Sequence, residues 1–373
     1  MRIALIAHPR HPIAPPFKGG MEAHSYHLAK GLMARGHDVT LFAAGDSASC
    51  FDIDPIMPVH YDRDYPWENT TPHPDLYTML DHHFGAAKHR IFSGRYDVVH
   101  NNCLHRFIMQ EAHRTNMPCV TSLHVPPFEA IHGVVRDTLC ATHIATVTSA
   151  RQNWSWWGAA PPLESVVVHN GIDLDLWPAP DDIQTLPHEE HALWCGRITR
   201  NKGPHHAVQA ARKAGLGLRL YGYLEDRDYF AQEIQPWLDE RILYGGVADG
   251  TTLSRAMRQA RLLFFTPCWD EPFGLVAVEA MASGLPIACF DQGAAREIIG
   301  EEAGRYARPN DVNALAQAAH DAMQIGRDVP RKRVEACFSQ ERMIDAYEAL
   351  YARVRAASDH LAPMSQPYET LIL

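Results

Sequence analysis

The 373-residue chain has no run of about 18 consecutive apolar residues, so no helical membrane span is expected from it. Its first apolar stretch, Ile3 to Ala7, stops at His8-Pro9 and is too short for the core of a secretory signal. The eight cysteines are scattered without a Cys-x-x-Cys pair, and Cys119, Cys195 and Cys289 sit inside apolar runs. A chain of this length builds a core without disulfides, so the expectation is a reduced, cytoplasmic protein. Basic runs are also missing. Nothing exceeds Arg331-Lys332-Arg333, and the formal charge is -10, which argues against a nucleic-acid partner. Without a basic amphipathic helix, any membrane association is peripheral at most. Histidine is plentiful at 23 residues, yet no His-Glu-x-x-His or Cys/His set appears, so no metal site is expected. The first strand is followed by His8-Pro9-Arg10 rather than Gly-x-Gly-x-x-Gly, which argues against a dehydrogenase. No Gly-Lys-[Ser/Thr] occurs, which argues against an NTPase of the P-loop type.

What is present is the composition of a globular protein, 46% hydrophobic and 21% charged, long enough for two domains of roughly 150 to 200 residues. Short apolar runs alternate with amphipathic stretches, the pattern of an α/β fold with parallel sheets covered by helices. In the first half the predicted strands are Ile3–Ala7, Val39–Ala43, Val98–His100, Cys119–Leu123, Ile144–Thr148 and Val166–His169. A helix is predicted from about Met21 to Arg35, ended by Gly36. Residues 51–74, rich in Pro, Asp, Tyr and His, read as a long loop. Residues 171–187, with Pro178, Pro180 and Pro187, read as a hinge between domains at 1–170 and 188–338. In the second domain the predicted strands are Ala192–Cys195, Leu218–Tyr221, Ile242–Tyr244, Leu262–Thr266 and Ile287–Phe290. A last helix is predicted over 339–357, capped by Ser339, with Met343, Ala346, Tyr347, Leu350, Tyr351 and Val354 on one face. That face needs a partner, and a return to the first domain would supply one. Residues 358–373 read as an irregular tail.

The most informative segment is Asp270-Glu271-Pro272-Phe273-Gly274-Leu275-Val276-Ala277-Val278-Glu279. A strand ends near Thr266, a Pro/Gly turn follows, and a helix begins near Leu275. Free amides at that helix start, with the helix dipole behind them, suit a pyrophosphate. Carboxylates at Glu271 and Glu279 would repel phosphate, and make sense as acceptors for sugar hydroxyls. Arg197 and Lys202, in Gly196-Arg197-Ile198-x3-Lys202-Gly203, place two cations after a strand, as a diphosphate requires. Gly19-Gly20-x-Glu22 follows the first strand, where glycines let backbone approach a ligand closely. His124 stands at a strand end in Thr121-Ser122-Leu123-His124.

In this order the motifs resemble retaining glycosyltransferase family 4, with its Glu-x7-Glu signature, over nearly the whole chain. The resemblance implies a GT-B architecture: two facing Rossmann-like domains with a central cleft. It implies that Glu271 contacts the transferred sugar, Glu279 the ribose, and Arg197 and Lys202 the diphosphate. His124 would stand beside the donor sugar, and amides around Phe273, Gly274 and Leu275 would bind the diphosphate. Val247 would touch the base, Gly19 and Gly20 would line the donor site, and Glu22 would lie on the acceptor side. Asn170-Gly171-Ile172-Asp173 matches the family's hinge. Asp291-Gln292-Gly293-Ala294-Ala295-Arg296-Glu297 departs from the family's Gly-Gly-x-x-Glu turn, which leaves the role of Glu297 open.

The expected activity is metal-independent transfer of a hexosyl group from a nucleotide sugar, with no cofactor. A UDP-sugar is favoured and GDP-mannose comes next. The acceptor is a hydroxyl compound, a soluble metabolite or a glycan or lipid-linked one; its identity and the oligomeric state stay open. Alternatives are a sugar phosphorylase of the same fold and a non-catalytic sugar-nucleotide-binding protein. The triplets Asp52/Asp54, Asp62/Asp64, Asp173/Asp175 and Asp226/Asp228 read as solvated loops rather than metal ligands. Trp154-Ser155-Trp156-Trp157 reads as packing at a domain edge, with an acceptor platform or a membrane contact as alternatives.

Overall fold

The computed structural model describes residues 1–67, 71–178 and 191–361. They contain two parallel sheets. The first comprises β1 (Arg2–Ile6), β2 (Asp38–Ala44), β3 (Asp52–Met57), β4 (Val98–Asn101), β5 (Cys119–Leu123), β6 (His143–Val147) and β7 (Ser165–Val167). The second comprises β8 (His191–Cys195), β9 (Gly217–Tyr221), β10 (Ile242–Tyr244), β11 (Leu263–Phe265), β12 (Ile287–Phe290) and β13 (Gly304–Ala307). Their orders are β3-β2-β1-β4-β5-β6-β7 and β10-β9-β8-β11-β12-β13. Each sheet winds outward in both directions from its first strand, the doubly wound topology of a Rossmann-like domain. Such a sheet opens a crevice at the carboxyl ends of its strands, where the winding reverses.

Alternate residues of the central strands feed opposite faces. Ile3 and Leu5 of β1 join one core while Ala4 and Ile6 join another, and β8 divides Leu193 from Ala192 and Trp194 in the same way. Burial on both faces explains why these strands are continuous apolar runs rather than alternating ones.

The edges differ from the sequence reading. Part of the stretch 51–74 read as a loop is β3, paired in parallel with β2. Its sequence, Asp-Ile-Asp-Pro-Ile-Met, hides the pattern, because an edge strand tolerates proline and exposed carboxylates. The edge strand β13 was also unanticipated: Gly-Arg-Tyr-Ala carries too little apolar character to stand out. The last helix runs over Gln340–Leu361, so residues 358–361 of the expected tail are helical. Ala356 and Ala357 are strong helix formers, and nothing before Pro363 breaks the run. The rest of that tail, 362–373, lies outside the described residues, as do 179–187 of the hinge with Pro180 and Pro187.

The helix Gln340–Leu361 returns to the first domain. Met343, Ile344, Tyr347, Leu350, Tyr351 and Val354 are buried in one cluster with Val98, Val120 and Ile144. Two tyrosine hydroxyls reach through that apolar contact to buried polar partners. Tyr347 meets Ser122 Oγ at 3.0 Å and Tyr351 meets His100 Nδ1 at 2.5 Å. The two chain crossings between the domains are tied together. The Ile172 amide donates to the Phe338 carbonyl at 3.0 Å, and the Gln340 amide to the Ile172 carbonyl at 2.9 Å. A Cβ on Gly171 would fall 2.4 Å from the Ser339 carbonyl oxygen, so only glycine allows the two crossings to lie this close.

Candidate active site

A cleft of about 1150 Å³ runs between the carboxyl ends of the two sheets. Arg197, Lys202, Val247, Glu271, Phe273, Gly274, Leu275 and Glu279 line it from the second domain, and Gly19, Gly20 and His124 from the first. Glu22 is the exception. It is 5% exposed, beneath Gly19 rather than on the wall: a Cβ on Gly19 would lie 2.7 Å from its Oε2. Burial raises its carboxyl, despite nearby Arg197 and Arg10. The structure thus places Glu22, expected on the acceptor side, under the glycine loop and not among the residues that line the cleft.

Glu271 is held from one side. Its Oε2 accepts from Lys202 Nζ at 2.5 Å and from Trp269 Nε1 at 2.7 Å, while the Lys202 ammonium lies 5.0 Å from the Trp269 ring centroid. Both donors use the same oxygen, which leaves Oε1 available to a ligand hydroxyl. The backbone of Glu271 is fixed as well, because its carbonyl accepts from the Ala294 amide at 2.9 Å. Gly293 (φ +60°) makes that approach feasible: its Cβ would collide with the Glu271 backbone nitrogen at 2.4 Å.

The helix Leu275–Ala282 begins after Gly274, whose φ of +86° turns the chain from strand end to helix start. No side chain caps this helix, and the Ala277 amide donates back to the Gly274 carbonyl at 2.9 Å, so the amides of Leu275 and Val276 are the ones left to a ligand. Gly20 brings the first domain against this turn, since a Cβ there would sit 3.3 Å from Leu275 Cδ1. One helical turn inside, the Glu279 carboxyl makes no hydrogen bond or ion pair among the described residues, and burial pushes it up to about 7.

Arg197 is engaged in the structure. Its Nη1 donates to Glu225 Oε2 at 2.6 Å, and the other oxygen of Glu225 faces Arg10 Nη2 of the first domain at 3.4 Å. Arg10 in turn donates to Asp62 at 3.2 Å. His124 packs on His24 with ring centroids 4.4 Å apart, and its Nε2 meets Asn102 Oδ1 at 3.2 Å. Burial lowers His124 to about 4, so the imidazole is neutral at pH 7.

The two motifs left open in the sequence are placed by the fold. Glu297 reaches across to the first domain, to the amides of Ala150 and Arg151. In the tryptophan cluster Trp156 is buried and Trp157 donates to Ser165 Oγ at 2.8 Å, whereas Trp154 is 57% exposed. Of the Asp-x-Asp triplets, Asp62 pairs with Arg10, Asp226 caps a short helix through the Tyr229 amide, and Asp173 accepts from the Asp175 amide. No cluster of three or more metal-ligating side chains occurs among the described residues. None of the described helices is long and apolar enough to cross a membrane.

Sequence reading missed Trp269, Glu225 and Asn102. Trp269 lies two residues before Glu271 and could have been found by asking which donor holds that carboxylate. Glu225 has no local signal, because Arg10 and Arg197 lie far away in the chain, and Asn102 joins His100, two residues before it, to the distant His124, which no spacing rule marks.

Comparison with known proteins gives two matches in tandem. Residues 18–176 match the model described as Glycosyltransferase Family 4, and residues 181–336 the model described as Glycosyl transferases group 1. An uncharacterized glycosyltransferase of Methanocaldococcus jannaschii is 27% identical, over 81% of this chain and 84% of its own length. Among solved structures, sucrose-phosphate synthase from Thermosynechococcus elongatus superposes with a TM-score of 0.75 at 22% identity, covering 95% of this chain and 99% of that one. Anabaena HepE in complex with UDP-glucose superposes with a TM-score of 0.69 at 18% identity, covering 94% and 100%.

Proposed function

Since this chain belongs to the family 4 glycosyltransferases and has their GT-B fold, we propose that it transfers a hexosyl group from a nucleotide sugar to a hydroxyl acceptor with retention of anomeric configuration. The observation that carries the reading is the pairing of Glu271 with Lys202 beside the uncapped start of helix Leu275–Ala282. It sets a carboxylate oxygen for a sugar hydroxyl next to cationic and amide groups for a diphosphate. A UDP-sugar is the favoured donor, in keeping with the likeness to HepE bound to UDP-glucose, and GDP-mannose is next. The enzyme works in the cytoplasm and needs no metal ion.

In this reading the diphosphate lies against Lys202 and the amides of Gly274 and Leu275, with Arg197 turning from Glu225 to join them. Glu279 accepts from the ribose hydroxyls, Glu271 from the sugar, and Val247 lies at the base. The acceptor oxygen approaches the anomeric carbon from the face the diphosphate leaves. The bond from that carbon to the diphosphate oxygen breaks, the new glycosidic bond forms, and the acceptor proton passes to a diphosphate oxygen. Charge developing on the leaving group meets fixed donors, so rate enhancement is electrostatic and positional. The neutral His124 offers a hydrogen bond to the sugar without adding charge.

Thermal unfolding with UDP, GDP and ADP and their common sugars, in the presence of a chelator, tests the donor site. Ligand at a hundredfold excess over Kd stabilises the native state by about 2.7 kcal/mol. The expected result is a shift with one nucleotide family that Glu279→Ala abolishes. Absence of a shift with every nucleotide sinks the reading, and free phosphate then tests a phosphorylase.

A further inference from the structure

Glu297 and the tryptophan-bearing helix Ala150–Trp157 meet at one junction between the domains. The helix follows β6 in the first domain, and Glu297 stands in the first turn of helix Ala295–Ala303 in the second. Its two carboxylate oxygens accept from the amides of Ala150 at 2.8 Å and Arg151 at 3.0 Å. Those amides have no intrahelical partners, and a negative charge at a helix start also meets the dipole favourably. Burial alone would raise the Glu297 carboxyl, but hydrogen bonds from His169 and the two amides outweigh it and leave it lowered. Beside it, the hydroxyls of Thr148 and Ser149 donate to the Pro272 carbonyl at 3.1 and 2.8 Å, and Arg151 pairs with Asp270 at 3.2 Å. Asp270 and Pro272 are the chain neighbours of Glu271.

The same helix grips the opposite wall. Gln152, 2% exposed, donates to the carbonyls of Leu123 at 2.6 Å and Val125 at 3.0 Å, on either side of His124. Trp156 Nε1 donates to the Val125 carbonyl at 3.0 Å. One eight-residue helix thus carries His124 on one side and is bolted to the Glu271 loop on the other.

We infer that Glu297 is a positioning residue for glycosyl transfer: by locking the start of helix Ala150–Trp157 to the second domain, it sets the distance between His124 and Glu271 across the sugar pocket. The catalytic consequence rests on the glycosyltransferase reading above. The main nucleotide contacts do not depend on this lock, because Lys202, Gly274 and Glu279 all belong to the second domain. Loss of Glu297 therefore separates nucleotide affinity from turnover.

The test compares wild type, Glu297→Ala and Glu297→Gln by three measurements. These are UDP affinity by calorimetry, compactness by small-angle scattering with saturating UDP, and kcat for release of UDP from UDP-glucose with water as the acceptor, or with GDP-mannose and GDP if UDP-glucose is not turned over. The expected outcome for Glu297→Ala is unchanged nucleotide affinity, a larger radius of gyration and a kcat lower by about a hundredfold, the penalty of misplacing reacting groups by about 1 Å. Glu297→Gln keeps the volume and one acceptor oxygen, and is expected to fall between. The inference is overturned if Glu297→Ala keeps both kcat and compactness. It is also overturned if affinity, turnover and melting temperature fall together, which marks a purely structural residue. A wild type that turns over neither donor, with the variant still more open, removes the glycosyltransferase reading and leaves the lock; with no opening, the lock fails too.

Discussion

Burial pushes the Glu279 carboxyl up to about 7, so near neutral pH it is present as both acid and carboxylate. Ribose hydroxyls donate more strongly to the carboxylate. Nucleotide affinity is therefore expected to rise with pH through about 7, and calorimetry between pH 6 and 8 measures it. Glu279→Gln should bind more weakly and lose that pH dependence, which separates it from titration of the nucleotide itself. The same shift acts on stability with the opposite sign. The unfolded chain releases this proton in the ordinary carboxyl range, below the folded value, so the folded state loses stability as pH rises from there to about 7. Glu271, Glu279, Arg197 and Lys202 were legible because their spacings are local. What the sequence concealed was their company. Glu225 joins Arg197 to Arg10 and Asn102 joins His124 to His100, links that no local spacing announces, and Arg197 is found on Glu225 rather than free.

Helix starts that face the cleft rely on anchors at the other end. Arg327, 8% exposed, donates to the carbonyls of Ala260 at 3.0 Å, Arg258 at 3.1 Å and Ser283 at 3.3 Å, just past or at the ends of helices Gly250–Gln259 and Leu275–Ala282. Burial lowers this guanidinium to about 10, still charged at neutral pH. Arg327→Met leaves those carbonyls unpaired and is expected to cost about 3 kcal/mol in denaturant unfolding. If stability is unchanged, the anchor is idle. At this scale the sequence was readable in the middle of the sheets and poor at their rims. Strands such as β5 and β12 are buried throughout and read as apolar runs. β3 and β13, each with a neighbour on one side only, carry Asp, Pro, Gly and Arg and lose the signal.

On the scale of the whole molecule, the repeated alternation of strand and helix announced two parallel-sheet domains. The sharing of one helix between them was expected from a single apolar face that needed a partner. Ending the chain at Ser339 removes that helix and uncovers Val98, Val120 and Ile144. Such a truncated chain is expected to lose the cooperative unfolding of its first domain and to aggregate; a soluble product melting at the wild-type temperature would contradict this. The lock between Glu297 and the amides of Ala150 and Arg151 was not legible, because it joins residues of different domains that stand 147 and 146 positions apart in the chain.

The return of helix Gln340–Leu361 also sets a timetable for synthesis. All seven strands of the first sheet are complete at Val167, yet their covering helix ends at Leu361. The second domain is thus an insertion within the first, made while the first waits unfinished. At about 5–20 residues per second, the wait is on the order of tens of seconds. Through that interval an apolar sheet face stands open on the nascent chain, so chaperone occupancy is expected to concentrate there, on the part of the protein that is made first.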